Sequence, residues 1–360
     1  MVKTFDKYFI SLFLKKLLLL FLIFFSLIFI LTIFEEITFF SDTKTKFYLP
    51  FLVAAFDVPS TLLEIFPFII LISVQLFFLE IMKKKENELI KFNGLDNLYL
   101  IKLLTLCAFL LGIIVITIYY PFSSKLKFIY FDLKNLHSKD GKYLKHYSEN
   151  GLWIKDEIKN EIFIINSSTK KNDEYLDNVF ISKFDKEFNL IENIFSKKVN
   201  IRSNKWIVEA PIFFKDNKQI QSNNDIILES HFNVEKINKT FMNLNSFNFI
   251  QLVDAKKENE LLGYSSQEID LHILKIITLP VYFSIMVIIS SIIMLNIKKN
   301  RPYIFHVILG ITLSVIIYYI SNIFDVFGLT NKIPIFLSVI FPMILLSIFS
   351  IIALLSVNEK

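Results

Sequence analysis

Six long apolar stretches alternate with polar segments along the chain, and each is long enough to cross a lipid bilayer. A membrane-spanning helix needs about 20 mainly apolar residues, because it must cross roughly 30 Å of hydrocarbon. The stretches of this length lie at about residues 12–34, 58–82, 99–120, 273–296, 303–323 and 333–356. We therefore predict a polytopic α-helical membrane protein with six transmembrane helices.

Between the third and fourth stretches the pattern changes to short apolar runs separated by Lys, Asn and Asp clusters. The runs are Leu152–Ile154, Ile162–Asn166, Val179–Phe184, Lys197–Ile201 and Trp206–Ala210. Short runs at nearly regular spacing, with turn signals between them, predict a sandwich or jellyroll-like sheet. The piece FDKEFNLIENIF predicts two strand segments around a turn, whereas DEYLDN fits either a turn or a helix.

These patterns predict a three-part organisation. Residues 1–121 hold the first three spans, 122–268 hold an inserted β-jellyroll-like domain with a helical connector from about residue 233, and 269–360 hold the last three spans. The first apolar stretch, roughly Leu17–Phe34, is longer than a signal-peptide core of about 7–15 residues, and no small-residue cleavage site follows it. We expect it to be a retained anchor.

Composition agrees with a membrane protein and not with a soluble domain. Hydrophobic residues make up 54% of the chain and mean hydropathy is +0.52, whereas soluble domains contain roughly 45–50% apolar residues. The net charge of +5 comes from lysines beside apolar runs and in one polar block, a distribution that favours membrane topology over nucleic-acid binding.

Basic residues in the short loops indicate the orientation of the spans, because long loops cross the membrane largely regardless of charge. They lie before the first span, between the second and third, and between the fourth and fifth: Lys3, Lys7, Lys15, Lys16, Lys83, Lys84, Lys85, Lys91, Lys298, Lys299 and Arg301. We therefore expect both termini to be cytoplasmic and the insert to be periplasmic.

The sequence shows no self-contained catalytic chemistry. None of the seven glycines has the spacing of a phosphate-binding loop, so ATP hydrolysis is not expected in this chain. The five histidines are scattered without metal-site spacing, and Cys107 is the single cysteine. We expect no enzyme activity, no cofactor and no metal site.

Carboxylates at membrane depth are the first candidate functional residues. Glu64 lies a few residues inside the second span and Glu80 near its other end. A charged side chain at the centre of a span costs roughly 2.5–3.5 kcal/mol, so such residues suggest function by default. Asp57 and Pro59 precede Glu64 and three lysines follow Glu80, so interfacial roles are equally open for Glu64 and favoured for Glu80.

Two further segments carry candidate chemistry. Glu35–Glu36 ends the first span, where the pair either marks a helix end at the lipid headgroups or lines an opening towards a cationic or metal-bridged lipid. The segment KKKENELIKFNGLDN, about residues 84–95, predicts a short amphipathic helix with Leu89 on its apolar side and Gly94 as its stop. That helix suits a soluble partner, and the alternative is a solvated loop.

The order of three spans, a β insert and three spans resembles the LptF/LptG family of lipopolysaccharide-export permeases over essentially the whole chain. Pro59, Glu64 and Pro67 match a P-x4-E-x2-P pattern associated with LptG. Further matching positions are Glu35–Glu36, LWIKDE from Leu152, KWIVEAPIFF over Lys205–Phe214, the group His272, Lys275 and Pro280, Gly328–Leu329, and Pro342. The resemblance is closer to LptG.

The resemblance implies roles for particular residues. The segment after the second span resembles a coupling helix that contacts the ATPase, with Leu89, Gly94 and either Glu86 or Glu88. Counting from Gly94 selects Glu86 and the local NEL pattern selects Glu88, positions about 200° apart around a helix. The implied substrate-entry residues are Glu35, Glu36, Lys44, Lys46 and Glu64, and the implied acyl-chain face of the β domain carries Ile162, Ile164, Trp206 and Val208.

The resemblance also implies a complex in the bacterial inner membrane. Its partners would be a homologous permease subunit, a dimeric cytoplasmic ATPase and periplasmic β-jellyroll bridge proteins, with lipopolysaccharide entering between the first and fifth spans. The chain would extract this lipid from the outer leaflet and pass it to the bridge. The main alternative is a membrane-anchored assembly factor whose periplasmic β domain binds another envelope protein. An ion-coupled carrier is disfavoured, because no inverted repeat is evident.

Overall fold

The computed structural model describes residues 4–41, 46–84, 97–137, 152–159, 161–172, 174–215, 218–222, 224–234, 236–237, 243–261, 264–295 and 302–358. The chain forms two compact units. The helical unit falls within Met1–Ser41, Thr45–Lys127 and Ser266–Lys360, and the β unit falls within Phe128–Ser265.

Among the described residues, six helices are long and apolar enough to cross a membrane, which confirms the predicted spans. They are the first span (Thr4–Phe40), the second (Leu49–Lys83), the third (Asn97–His137), the fourth (Gln267–Leu295), the fifth (Tyr303–Leu329) and the sixth (Ile335–Asn358). The first five helices are longer than their apolar stretches, because helical structure continues into the polar residues that flank each stretch.

The fourth span is the centre of the helical unit. It packs against the second, third, fifth and sixth spans, while the first span packs mainly against the second. Aromatic and aliphatic side chains fill the contacts; the rings of Phe66 and Phe283, for example, stack with their centroids 5.3 Å apart. Because the first, fifth and sixth spans are much less buried than the second and fourth, they form the outside of the unit.

Glycines set the closest helix contacts. A Cβ atom on Gly112 of the third span would lie 2.5 Å from the Cα atom of Pro280 in the fourth span. A Cβ atom on Gly310 of the fifth span would collide with the side chain of Gln75 in the second span. Small residues allow membrane helices to approach this closely. These two glycines therefore determine how near the neighbouring spans can come.

The third span contains one π-helical turn, Val115–Tyr119, between the α-helical segments Asn97–Ile114 and Tyr120–His137. The hydroxyl of Tyr119 donates to the carbonyl of Pro59, at 2.9 Å, and the hydroxyl of Tyr120 lies 3.3 Å from Nε2 of His272. The wider turn thus lets two successive tyrosines reach two different spans. The third span is predicted to end near residue 120, whereas the helix continues to His137.

In the described part of the β unit, eight strands form one antiparallel sheet, and this confirms the predicted β insert. They are β1 (Leu152–Ile158), β2 (Glu161–Asn172), β3 (Tyr175–Phe184), β4 (Leu190–Asn200), β5 (Lys205–Val208), β6 (Ile212–Lys215), β7 (Lys218–Gln221) and β8 (Ile226–Glu229). Their order is β1-β2-β3-β4-β5-β8, with β6 paired to β4 and β7 paired to β6. FDKEFNLIENIF forms the expected turn between β3 and β4, whereas DEYLDN, read as turn or helix, enters β3 at Tyr175.

The sheet has two distinct faces. A row of isoleucines crosses four strands on the face that we call the inner face, where Ile154, Ile165, Ile181 and Ile194 are paired in register. Phe180, the residue before Ile181 in β3, pairs with Phe195 on the opposite, outer face. Successive side chains of a strand point to opposite faces, so the sheet buries one row and leaves the other partly exposed.

After β8 the chain returns through a connector helix, Phe249–Leu261. Leu252 and Ala255 form its buried side, as their spacing of three residues on one helical face requires. The predicted helical connector is therefore present.

Candidate functional site

The predicted ATPase-coupling residues lie outside the described part of the chain. Glu86, Glu88, Leu89 and Gly94 fall between the second span, which ends at Lys83, and the third, which begins at Asn97. Their assignment stays a prediction from the sequence.

Glu80 is a structural carboxylate next to that segment. It accepts hydrogen bonds from Lys16 of the first span and from Lys84, the latter at 2.8 Å. Through these contacts the carboxylate joins the first span to the second, and its negative charge is compensated by lysine side chains. This geometry agrees with the interfacial role that the sequence favoured.

At the opposite end of the second span, Asp57 pairs with Lys127 of the third span. The hydroxyl of Thr61 donates to the same carboxylate at 3.4 Å. Both charged side chains are largely buried, so the pair is shielded from solvent more than a surface ion pair. Lys127 is not among the residues predicted from the sequence; its signal is one of two lysines, Lys125 and Lys127, just beyond the third apolar stretch.

A second ion pair joins the fourth and fifth spans. Nζ of Lys275 lies 2.5 Å from Oδ2 of Asp325. Asp325 is 7% exposed, whereas the Lys275 side chain is 47% exposed. His272, one turn before Lys275, contacts Tyr120 of the third span. His272 therefore connects the fourth span to the third, and the pair of Lys275 with Asp325 connects it to the fifth.

Removing the lysine of this pair should lower the free energy of unfolding more than removing the aspartate. Lys275→Met leaves Asp325 charged and buried, and we expect a loss of about 2 kcal/mol, less than the roughly 3–5 kcal/mol of a fully buried pair because the lysine is half exposed. Asp325→Asn leaves only a partly hydrated lysine, so its loss is smaller. Thermal unfolding of the full chain in detergent measures both. A double variant as unstable as the sum of the two single variants would contradict a direct pair.

The predicted substrate-entry residues occupy different environments. Glu35 is exposed on the first span, but Glu36, one position further, is 0% exposed. Lys46 is exposed, with Nζ 5.8 Å from the ring centroid of Tyr48, and Lys44 lies outside the described residues. Glu64 is exposed on the second span, within the membrane-spanning length.

The four residues predicted for the acyl-chain face do not share one face. Trp206 and Val208 are 0% exposed and belong to the apolar cluster of the inner face. Ile162 and Ile164 lie on the outer face, because Phe163 and Ile165 take the inner positions of β2. The structure thus brings together only the two residues of β5.

The inner face is covered by residues that follow β8. Phe232 and Ile237 are 0% exposed and pack against the inner face together with Val234 and Tyr264. Nε1 of Trp206 donates to the carbonyl of Phe232 at 2.7 Å. The sequence pattern of this region predicts a connector and does not indicate that it covers the sheet.

A buried carboxylate joins the first strand to the segment after the last. Asp156 of β1 is 2% exposed. Its Oδ2 accepts from the hydroxyl of Ser230 at 2.7 Å and from the backbone N–H of His231 at 3.0 Å, while Oδ1 lies 2.8 Å from Nδ1 of His231. Nearby, Nζ of Lys159 lies 2.7 Å from Glu229; this contact raises the pKa of Lys159 and lowers that of Glu229. Side chains therefore join β1 to β8 and the residues after it, which stand at opposite ends of the strand order.

Tyr264 closes the free edge of β1. Its hydroxyl accepts from the backbone N–H of Lys155 at 2.9 Å and donates to the carbonyl of the same residue at 3.4 Å. Burial raises the pKa of Tyr264 to about 12, so the hydroxyl keeps its proton at neutral pH and can make both bonds. One side chain thus takes the place that a neighbouring strand would occupy at this position.

The chemistry available to these sites is non-covalent. Among the described residues, no group of three or more His, Cys, Asp or Glu side chains could hold a metal ion. What the β unit does offer is a sheet whose inner face is apolar. Such a face can bind an extended apolar chain without covalent chemistry.

Comparison with protein families gives a match that includes both units. Residues 7–356 match the family model described as "Lipopolysaccharide export system permease LptF/LptG". No curated protein matches the chain.

Proposed function

The chain belongs to the LptF/LptG family of lipopolysaccharide export permeases, and on that premise we propose that it is one permease subunit of an ATP-driven complex. The complex extracts lipopolysaccharide from the outer leaflet of the inner membrane and passes it to a periplasmic bridge. The observation that carries this proposal is one chain with six membrane helices and a sheet whose inner face is apolar. An apolar face of this kind shields acyl chains from water.

Energy for the transport comes from a separate subunit in this proposal. The sequence contains no phosphate-binding loop, so a dimeric cytoplasmic ATPase supplies the hydrolysis. The segment with Glu86, Glu88, Leu89 and Gly94 is the proposed contact with it. A homologous permease completes the heterodimer, and the pattern at Pro59, Glu64 and Pro67 favours LptG for this chain.

Glu64 is a charged residue on the exposed side of the second span. It is the exposed member of a ridge on the second span that includes Thr61 and Phe68, which are partly buried. A charged side chain in a span rarely faces lipid, and it usually faces a water-filled cavity or another protein. We therefore propose that this ridge faces the cavity between the two permeases.

Co-purification tests the assignment. We expect a homologous permease and an ATPase to be isolated with the full chain from its native membrane. Glu86→Lys or Glu88→Lys should lower the amount of ATPase recovered by at least about tenfold, which corresponds to about 1.4 kcal/mol, because a reversed charge at the coupling helix repels its partner. Glu187→Lys makes the same charge change on the exposed β3–β4 turn and should have no effect. Recovery of neither partner with the unaltered chain would refute the proposal.

One observation favours a second candidate function. Phe180 and Phe214 are 43% and 38% exposed on the outer face, and Phe180 lies 5.7 Å from Phe195, centroid to centroid. An exposed aromatic cluster is typical of a protein-binding surface, as expected of a membrane-anchored assembly factor. Photo-crosslinking separates the two functions: the export permease gives glycolipid adducts from inner-face positions, whereas the assembly factor gives protein adducts alone.

A further inference from the structure

The inner face of the sheet is covered at its centre. Its central residues Ile165, Ile181 and Ile194 are at most 4% exposed. The chain itself provides the cover, through Phe232, Val234 and Ile237. We call Ser230–Val234 together with Ile237 the plug.

The plug begins as an extension of the sheet. The backbone N–H of Ser230 donates to the carbonyl of Asn204 at 2.8 Å, which continues the pairing of β8 with β5. The buried carboxylate of Asp156 then holds Ser230 and His231. This end of the plug is fixed by hydrogen bonds to groups that are themselves buried.

The rest of the plug leaves the plane of the sheet as a helical turn. Asn233 caps the turn, because its Oδ1 accepts from the N–H of Lys236 at 2.9 Å. The N–H of Ile237 donates to the carbonyl of Asn233 at 2.9 Å, and the N–H of Val234 donates to the carbonyl of Ile201 at 3.1 Å. The side chains at positions 234 and 237 share one side of the turn, three residues apart. That side faces the apolar row of the sheet.

Hydrogen bonds hold the backbone of the plug, whereas apolar contacts hold its large side chains. Phe232 takes part in two hydrogen bonds, both through its backbone: Nε1 of Trp206 donates to its carbonyl, and its N–H donates to the hydroxyl of Ser230 at 3.0 Å. Ile237 contributes only its side chain to the cover. Apolar contact is not directional, so an alkyl chain of similar width can replace these side chains without a change in the sheet.

We propose that the plug occupies the acyl-chain position of the inner face in the resting protein and leaves that position when lipid is carried. The proposal rests on the proposed function, since it requires that lipid pass along the inner face. Close-packed interiors have no room for an added alkyl chain beside existing side chains. Phe232 and Ile237 therefore compete with acyl chains for the same surface, and the plug acts as a built-in inhibitor of lipid entry.

A reversible disulfide tests whether the plug must move. The hydrogen bond between Val234 and Ile201 should place their Cα atoms about 5–6 Å apart, within the range that disulfides span. The variant Ile201→Cys/Val234→Cys is made in a Cys107→Ser background, which removes the single native cysteine. A photo-reactive phenylalanine analogue at Phe163, an inner-face aromatic position that is 5% exposed, reports lipid on the inner face. The full export complex is assayed in membranes with ATP.

We expect lipopolysaccharide adducts from position 163 under reducing conditions, a loss of at least fivefold on oxidation, and recovery after addition of dithiothreitol. The matched control is a disulfide at Ile164→Cys/Ser182→Cys, a cross-strand pair on the outer face that leaves the plug free; its oxidation should change nothing. The same analogue at Phe180 on the outer face controls for adducts that do not depend on the inner face.

Each outcome decides between the two proposals. Lipid adducts that persist when the plug is locked would overturn the plug proposal and leave the export function intact. A similar loss in the Ile164/Ser182 control would also overturn it, since general stiffening of the sheet would then explain the effect. No lipid adduct in the unlocked protein, with or without ATP, would refute the proposed function itself.

Discussion

Gly112→Ala should destabilise the helical unit by about 3 kcal/mol, at the upper end of the usual range for overpacking. The added Cβ atom would lie 2.5, 2.9 and 3.0 Å from the Cα, Cβ and N atoms of Pro280. Backbone atoms and a proline ring cannot rotate away, so the third and fourth spans must separate. Separation also stretches the contact of Tyr120 with His272, because residues 112 and 280, and 120 and 272, belong to one antiparallel crossing.

Gly328→Ala is the matched control for that prediction. A Cβ atom there would lie 2.6 Å from the hydroxyl oxygen and 2.9 Å from the Cβ atom of Ser338. The hydroxyl can adopt another rotamer, so a single Cβ contact has to be relieved and no backbone atom lies within 3 Å. We expect a smaller loss of stability than at Gly112, about 1–2 kcal/mol. Thermal unfolding of both variants in the same detergent measures the difference. Equal stabilities for the two variants would show that the third and fourth spans are not in backbone contact at Gly112.

Trp206→Ala should destabilise the β unit by about 3–5 kcal/mol, the usual cost of truncating a large buried aromatic side chain. Trp206 is 0% exposed at the centre of the inner-face cluster. Its removal also deprives the buried carbonyl of Phe232 of its donor. The plug and the sheet lose their shared contact together, so the effect should exceed that of a cavity alone.

Tryptophan fluorescence measures this loss selectively. The chain contains two tryptophans, Trp153 and Trp206, and both lie in strands of the sheet. Urea unfolding of the full chain in detergent, followed by fluorescence, therefore reports the β unit alone. Trp153→Ala is the control, since Trp153 is 52% exposed; its loss should be within about 1 kcal/mol. A stability of Trp206→Ala close to that of the Trp153→Ala control would mean that the inner face is not a packed core.

The spans and the sheet could be predicted from the sequence because both depend on local patterns. An apolar run of the required length specifies a membrane helix wherever the rest of the chain goes. Short Ile-, Val- and Phe-rich runs between polar turns specify strands in the same way. The run Lys197–Ile201 shows the limit: it forms one strand, Leu190–Asn200, together with the second segment of FDKEFNLIENIF, because pairing with β3 continues through the polar residues between them.

The two faces of the sheet could not be assigned from the sequence. Along β2, both Ile162 and Phe163 are apolar, so the period of two separates them without indicating which one faces the interior. In the structure, Phe163 lies opposite Asp156 of β1 and Lys183 of β3. It therefore shares the inner face with the isoleucine row, which lies two residues further along each of these strands or two residues back. The ambiguity arises wherever both faces of a strand carry apolar residues.

Contacts between distant residues account for most of what was missed. Lys275 and Asp325 form an ion pair across 50 positions of the chain, and Asp156 meets Ser230 across 74. A single sequence records the charge of each residue but not its partner. The plug is the clearest case, since Phe232 and Ile237 resemble any other apolar residues of a connector until the sheet beneath them is known.

The bond between Tyr264 and Lys155 has a consequence for the biogenesis of the protein. The two residues are 109 positions apart, and at roughly 5–20 residues per second the ribosome completes Tyr264 about 5–22 s after Lys155. Throughout that interval the first strand of the nascent sheet carries an uncapped edge, which is a template for pairing with other chains. Aggregation of nascent chains should therefore be concentrated before the last residues of the insert emerge, and a holding chaperone is needed only until then.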